Sequence, residues 1–348
     1  MLTKISNDLI YHYLHKCDIN EYFKSKIIKH LYDSLNSQYV NSRISMTQDY
    51  KGYPGSSFIA RSLRNKISIR QKVYTYSWQT RSKHNIKNTL HIYLKDDDED
   101  LPDIKLLIKA ISYITSFSDK PRSIVVHLCL LPDKKILRKN SQKISPLNVN
   151  SGSNRFTNTE SEICIFRREE CIKVLFHEII HGLRFSSLGD HDMITQRLCQ
   201  KYDYDSREIL IDESYTEIWA KILNTYFISS LTNSSTKFQH FCTMLAIEKE
   251  FSLYQGNKIK GFIKKTKNKN LDKETNVSAY YLVVGEIFSH LEEFLMNCEN
   301  NPYVKNKNSC LEYLYSLDIL EKRRVNINDK YYNTLRMSVC ELSVKLNS

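Results

Sequence analysis

His177, Glu178, Ile179, Ile180 and His181 form an HExxH pattern inside the apolar-periodic stretch Ile172 to Leu183. Side chains four residues apart on a helix share a face, so the two imidazoles can bind one Zn²⁺. Glu178 then stands where a carboxylate takes a proton from metal-activated water and passes it to a leaving amine. A five-residue match also arises by chance, and the competing reading is two helix histidines lining a core beside a solvated glutamate. The neighbours count against it. Val174, Leu175, Ile179, Ile180 and Leu183 make the helix largely buried, and three buried polar groups without partners are costly. Gly182, directly after the second histidine, either permits a close approach by another segment or is a plain packing glycine.

Catalytic zinc usually has three protein ligands and an open water position, so a third ligand is needed. The stretch Asp212 to Glu217 supplies the best candidates, on the next long helical pattern. Glu213 and Glu217 are four apart and both can face the first helix, one binding the metal while the other hydrogen-bonds a ligand imidazole. His191 and Asp192 remain ligand candidates if the segment between the helices folds back. A donor for the tetrahedral intermediate is also required. Tyr280, Tyr281 and His290 lie in a later helical stretch, although in a chain with 23 tyrosines ordinary packing competes with that role for each.

These residues resemble the gluzincin metallopeptidases, in which a glutamate near the start of the second helix completes an HExxH zinc site. The resemblance implies Glu213 as the third ligand, Glu217 as the support of a histidine, and Asp212 where the family commonly has asparagine. The chain also looks like uncharacterised HExxH metallopeptidases of large DNA viruses, on Asn148 to Gly152, Ile163 to Gly182 and Glu213 to Ala220. That second likeness implies a place in the cytoplasm, the host-cell cytoplasm or the virion. Together they cover about a quarter of the chain. One departure is the 32-residue step from His181 to Glu213, wider than in compact gluzincins, which makes Ser186 to Arg207 an insertion. The metzincin pattern is not met: Ser187 stands where it wants a third histidine, and its glycine is absent as well.

The elements that must position these groups follow from periodicity. Residues 1–40 have apolar spacings of three and four that predict helices, and Gly52, Pro54 and Gly55 then mark a turn. Alternation over Lys72 to Thr80 and Thr89 to Leu94 predicts two strands, Leu101 to Phe117 a helix, and Ile124 to Leu131 another strand. Ser145 to Thr159 reads as a loop or edge strand, followed by a strand at Ile163 to Phe166. Glu169 and Glu170 then suit the amide-rich start of the HExxH helix. An edge at Asn148 to Asn154 could pair with an extended substrate. Further helices are expected at Ile209 to Ile228, Phe238 to Tyr254, Val277 to Met296 and Cys310 to Lys322. Lys258 to Lys273, with seven lysines and two nearby glycines, reads as a solvated connector.

The expected architecture is α+β, with a small mixed sheet, a helix-rich C-terminal half and, by the resemblance, a zincin-like metallopeptidase fold. It divides into an N-terminal helical segment (1–50), a mixed part ending in the HExxH helix (51–185) and a helical part with the third ligand (186–348). In 348 residues, 41% hydrophobic and 26% charged composition suits a folded chain with a sizeable core. The apolar runs are far shorter than the roughly 20 residues of a membrane-spanning helix, and no secretory segment is legible. Nine scattered cysteines without a CxxC pair suggest reduced thiols. The net charge of +12 suits an acidic polypeptide partner. Nucleic acid is not expected, because the lysine run lacks interleaved aromatics and no phosphate or dinucleotide loop occurs. The expected activity is zinc-dependent peptide or isopeptide hydrolysis. The alternatives are a zinc hydrolase of another amide and a zinc-stabilised binding protein without catalysis.

Overall fold

The computed structural model describes residues 1–344, apart from 56–58, 96–100, 190–191, 203–208, 233–234, 267–274, 299–306 and 318–324. Three helices come first: α1 (Lys4–Leu14), α2 (Ile19–Lys24) and α3 (Lys26–Ser34), whose N-caps Thr3, Asp18 and Ser25 each accept a backbone amide. The sheet begins with β1 (Val40–Asn41) and β2 (Ser45–Tyr50), followed by α4 (Arg61–Ser68), β3 (Lys72–Arg81) and β4 (Asn85–Leu94). Helix α5 (Ile104–Thr115), with Asp103 as its cap, leads to β5 (Ser123–Leu131). A single-turn helix α6 (Pro146–Val149) precedes β6 (Gly152–Phe156) and β7 (Glu160–Arg167).

The strand order is β1-β3-β4-β5-β7-β6, with β2 pairing β3 beside β1. Pairs β4–β5 and β5–β7 are parallel and the rest antiparallel, so the sheet is mixed. Side-chain alternation divides its faces. Ile86, Leu90, Ile92, Val126, Leu128, Ile163 and Ile165 enter the main core. Val73, Tyr93, Cys129, Cys164 and Phe166 form a smaller core with Ile59, Leu63 and Ile67 around α4. Gly152 and Asn154 of β6 pair with Ile165 and Ile163, which turns both residues toward the helices.

The second half is helical: α7 (Cys171–Gly182), α8 (Asp192–Lys201), α9 (Ile211–Ser230) and α10 (Lys237–Thr266). A π-helical turn (Ser278–Val283) then runs into α11 (Val284–Ser289), α12 (Leu291–Asn297) and α13 (Lys307–Ser316). Eleven residues of α7 are buried. Each large apolar side chain among them contributes about 1.5–3 kcal/mol when fully buried. The main core runs from Leu9 to Val344, so N-terminal helices, sheet and C-terminal helices share apolar contacts.

Several elements differ from the sequence expectation. Helix α10 continues through Gly256 and Gly261 to Thr266, so Lys258 to Thr266 is helix; Lys267 to Lys273 lies outside the described residues. Lys258 is buried and donates to the Thr334 carbonyl, because the C-terminal segment covers this face. The helix expected over Val277 to Met296 is broken at His290, whose backbone leaves the helical region. The insertion after α7 contains α8, packed through Ile194, Leu198 and Cys199. Cys298 and Cys310 are paired as a disulfide, against the reduced-thiol expectation, and no second disulfide forms among the described residues. Among the described residues, no helix is long and apolar enough to cross a membrane.

Candidate metal centre

Helix α7 lies across β6 and β7 and against α9, so its polar face meets the first turns of α9. His177 and His181 project from that face four residues apart, and Glu213 projects from the first turn of α9. One donor atom from each residue lies within 4.8 Å of the other two. Glu213 Oε2 is 3.2 Å from His177 Nε2 and 3.3 Å from His181 Nε2. Both Nε2 atoms thus converge on one carboxylate, and both Nδ1 atoms are left for supporting partners.

Glu217, one turn along α9, approaches His177 Nδ1 through Oε2 at 3.0 Å. Lys173, one turn before His177, donates to both Glu217 oxygens at 2.8 and 2.9 Å. Ser186 Oγ lies 3.4 Å from His181 Nδ1. Burial works against the Glu217 carboxylate, but Lys173 and His177 more than offset it and bring it down to about 2. Burial likewise opposes a charge on His177, yet Glu213 and Glu217 raise it to about 9. Glu213 is held well below the carboxylate range by His181 and His177 despite its desolvation. Two imidazoles and a carboxylate, each with polar support, are a donor set that suits a divalent metal.

Glu178 is buried beside this cluster, and desolvation raises its carboxyl while His177 and His181 oppose the rise. Gly152 allows that proximity. A Cβ there would lie 2.6 Å from Glu178 Oε1 and 3.0 Å from Val174 Cγ1. Gly182 is a close-approach glycine too, since a Cβ on it would collide with Ser161. Asn154 Nδ2 donates to the Glu178 carbonyl at 2.7 Å and its Oδ1 accepts from Ser161, tying β6 and β7 to α7. A cavity of about 520 Å³ opens beside these groups, lined by Glu178, both histidines, Glu213, β6 and Tyr280.

Tyr280 and Tyr281 diverge within the π-helical turn. The Tyr280 hydroxyl donates to Glu213 Oε2 at 2.9 Å, and its ring packs edge-on to His177. The Tyr281 hydroxyl donates to the Leu335 carbonyl at 2.6 Å, so the structure does not bring it to the cluster. Of the other candidates, His290 is absent from the cavity lining, Asp192 is exposed at the start of α8, and His191 lies outside the described residues. Asp212 accepts from the Leu188 amide at 3.3 Å and so fastens the insertion to α9.

Glu169 and Glu170 do more than face a helix dipole. Glu170 caps α7 in a left-handed conformation (φ 58°). Its carboxylate binds Lys135 Nζ at 2.8 Å and accepts the Met337 and Ser338 amides, while its own amide donates to Glu341. Glu169 accepts the Lys135 amide at 2.6 Å. Sequence reasoning missed Lys173, although its i, i+4 spacing to His177 was a usable signal. It also missed the contact between Gly152 and Glu178, for which no local signal exists.

The chain matches no family model, no curated protein sequence and no solved structure. On its geometry, the chain is an α+β protein with a small mixed sheet, a helix-rich C-terminal half and a His177/His181/Glu213 cluster able in principle to coordinate a divalent metal.

Proposed function

We propose that the protein is a gluzincin-like zinc metallopeptidase that hydrolyses peptide or isopeptide bonds. The observation that carries this reading is the convergence of His177, His181 and Glu213 beside a cavity that also contains the buried Glu178. His177, His181 and Glu213 would hold the metal, which supplies Lewis-acid activation of water and of the scissile carbonyl.

Glu178 takes the proton of the attacking water and delivers it to the leaving amine. Its carboxyl lines the cavity beside the three donors, where it can reach both the water and the leaving group. Tyr280, through a hydroxyl already at the cluster, donates to the oxygen that gains charge as the carbonyl is attacked. Strand β6 is the last strand of the sheet on the cavity side, and its backbone can pair with an extended substrate whatever the substrate's sequence. The net charge of +12 favours acidic polypeptides in the encounter. The parallel and antiparallel strands beneath an HExxH helix and the glutamate-bearing second helix support a zincin-like fold.

Incubating the zinc-loaded protein with a denatured-protein or peptide library and reading new termini by mass spectrometry tests the activity. Cleavage that disappears in Glu178→Gln with zinc content unchanged is the expected result. Stoichiometric zinc without cleavage of any amide, and with a fourth protein ligand seen by X-ray absorption, would favour a structural site instead.

A further inference from the structure

Lys173, His177 and His181 lie at i, i+4 and i+8 on α7, and Glu217 and Glu213 lie one turn apart on α9. The two helices run in opposite senses at this contact, so the side chains alternate in one series, buried at its Lys173 end and partly open at His181: Lys173, Glu217, His177, Glu213, His181. The lysine heads that series. It is 2% exposed and Glu217 is 0% exposed, so water cannot orient either group. Two of the ammonium's three donors go to the two Glu217 oxygens and its remaining contact is Met337 Sδ at 3.4 Å.

We infer that Lys173 is a positioning residue for the metal centre: by clasping both oxygens of Glu217 it fixes the acceptor that turns the His177 imidazole toward Glu213 and His181. The inference rests on the reading of that cluster as a metal site. A carboxylate held by one hydrogen bond can rotate about its last torsion, whereas a two-point clasp leaves Oε2 aimed at His177 Nδ1. The lysine also balances charge, because Glu178, Glu213 and Glu217 place three carboxyl groups within one small volume. Partners of metal-bound histidines typically contribute 10–100-fold to metal affinity. Lys173 acts one step further out, through such a partner.

The molecule contains its own control. Lys221, one turn beyond Glu217 on α9, pairs with the buried Glu248 at 3.4 Å and donates to Ser252 at 2.8 Å. It hydrogen-bonds no member of the cluster, and reaches Glu217 only through space. Removing either lysine leaves a buried carboxylate without its cation, so both losses lower thermal stability. Only the loss of Lys173 should disturb the metal.

The test is zinc affinity of the full-length chain, measured by competition with a chromophoric chelator, alongside thermal unfolding of the metal-free protein. Lys173→Met is expected to weaken zinc binding at least tenfold and to alter the visible absorption of the Co²⁺-substituted protein. Lys173→Arg should restore most of the affinity, and Lys221→Met should leave affinity and spectrum unchanged. If Lys173→Met does not fold, Lys173→Gln supports the same comparison with a smaller expected loss. Unchanged zinc affinity and an unchanged Co²⁺ spectrum in the folded variant would overturn the inference while leaving the metal site intact. A wild-type chain that binds no zinc would overturn the metal reading itself.

Discussion

Among the described residues, the ring-contacting pairs His177/His181 and His91/His127 have surroundings that give them opposite characters. His177 and His181 face Glu213 and Glu217 across two helices, and the carboxylates raise His177 to about 9. His91 and His127 stack on the opposite face of the sheet, with ring centroids 4.9 Å apart and planes 21° apart. Their neighbours are mostly neutral: Thr75 Oγ1 at 2.8 Å from His91 Nδ1, and the Tyr93 hydroxyl at 2.9 Å from His127 Nδ1. Glu162 contacts His127 Nε2 at 3.1 Å, but its carboxylate is more than a third open to solvent. Burial, His91 and Lys51 lower His127 to about 3. Buried carboxylates, not the histidines alone, mark the candidate metal centre. Among the described residues, His177, His181 and Glu213 are the group of three donors close enough to share an ion.

The sharpest way to break this contrast is at the centre. Glu178→Gln should lower peptide turnover by about 10²–10⁴-fold, the span typical of general acid–base groups, with zinc content unchanged. Turnover at the parental rate would remove Glu178 from the chemistry. Next, His181→Ala should abolish stoichiometric zinc binding in a metal assay, while His91→Ala and His127→Ala retain it. Zinc lost equally from both pairs would erase the distinction drawn here.

A smaller effect is expected at Gly152→Ala. The added methyl meets Glu178 and Val174, so the strand or the glutamate must move. Overpacking of this kind costs about 1–3 kcal/mol, read from chemical denaturation, and turnover should fall more than zinc affinity. The last effect is confined to acid and grows as the pH falls. His127 binds its proton near pH 6.5 when unfolded and only near pH 3 when folded, so between those values the unfolded chain holds more protons. Stability should therefore fall as pH drops through that window, and His127→Phe should flatten the fall in urea midpoints. An equal slope in both proteins would show that His127 does not set it.

What the sequence made legible was local. The HExxH spacing, the Glu213 and Glu217 pair and the strand alternation of β3 to β5 each depend on residues within a turn or two. What stayed hidden depends on distant partners. Lys258 resembles its solvated neighbours until Thr334 arrives from the C-terminal segment to accept its hydrogen bond. Gly152 looked like loop composition, and only the pairing of β6 with β7 places it under Glu178. Tyr280 and Tyr281 could not be ranked because neither has a local signal; the π-helical turn sends one to Glu213 and the other to Leu335.

The capping of α7 by residues near the C-terminal end orders events in the life of the chain. Glu170 is bound by the amides of Met337 and Ser338, some 167 positions later. Contacts of such long sequence separation close late. While the ribosome is still making residue 300, the helix that bears both histidines lacks the brace at its start. The start of that helix is therefore braced only once Met337 and Ser338 have been made and have folded back onto Glu170.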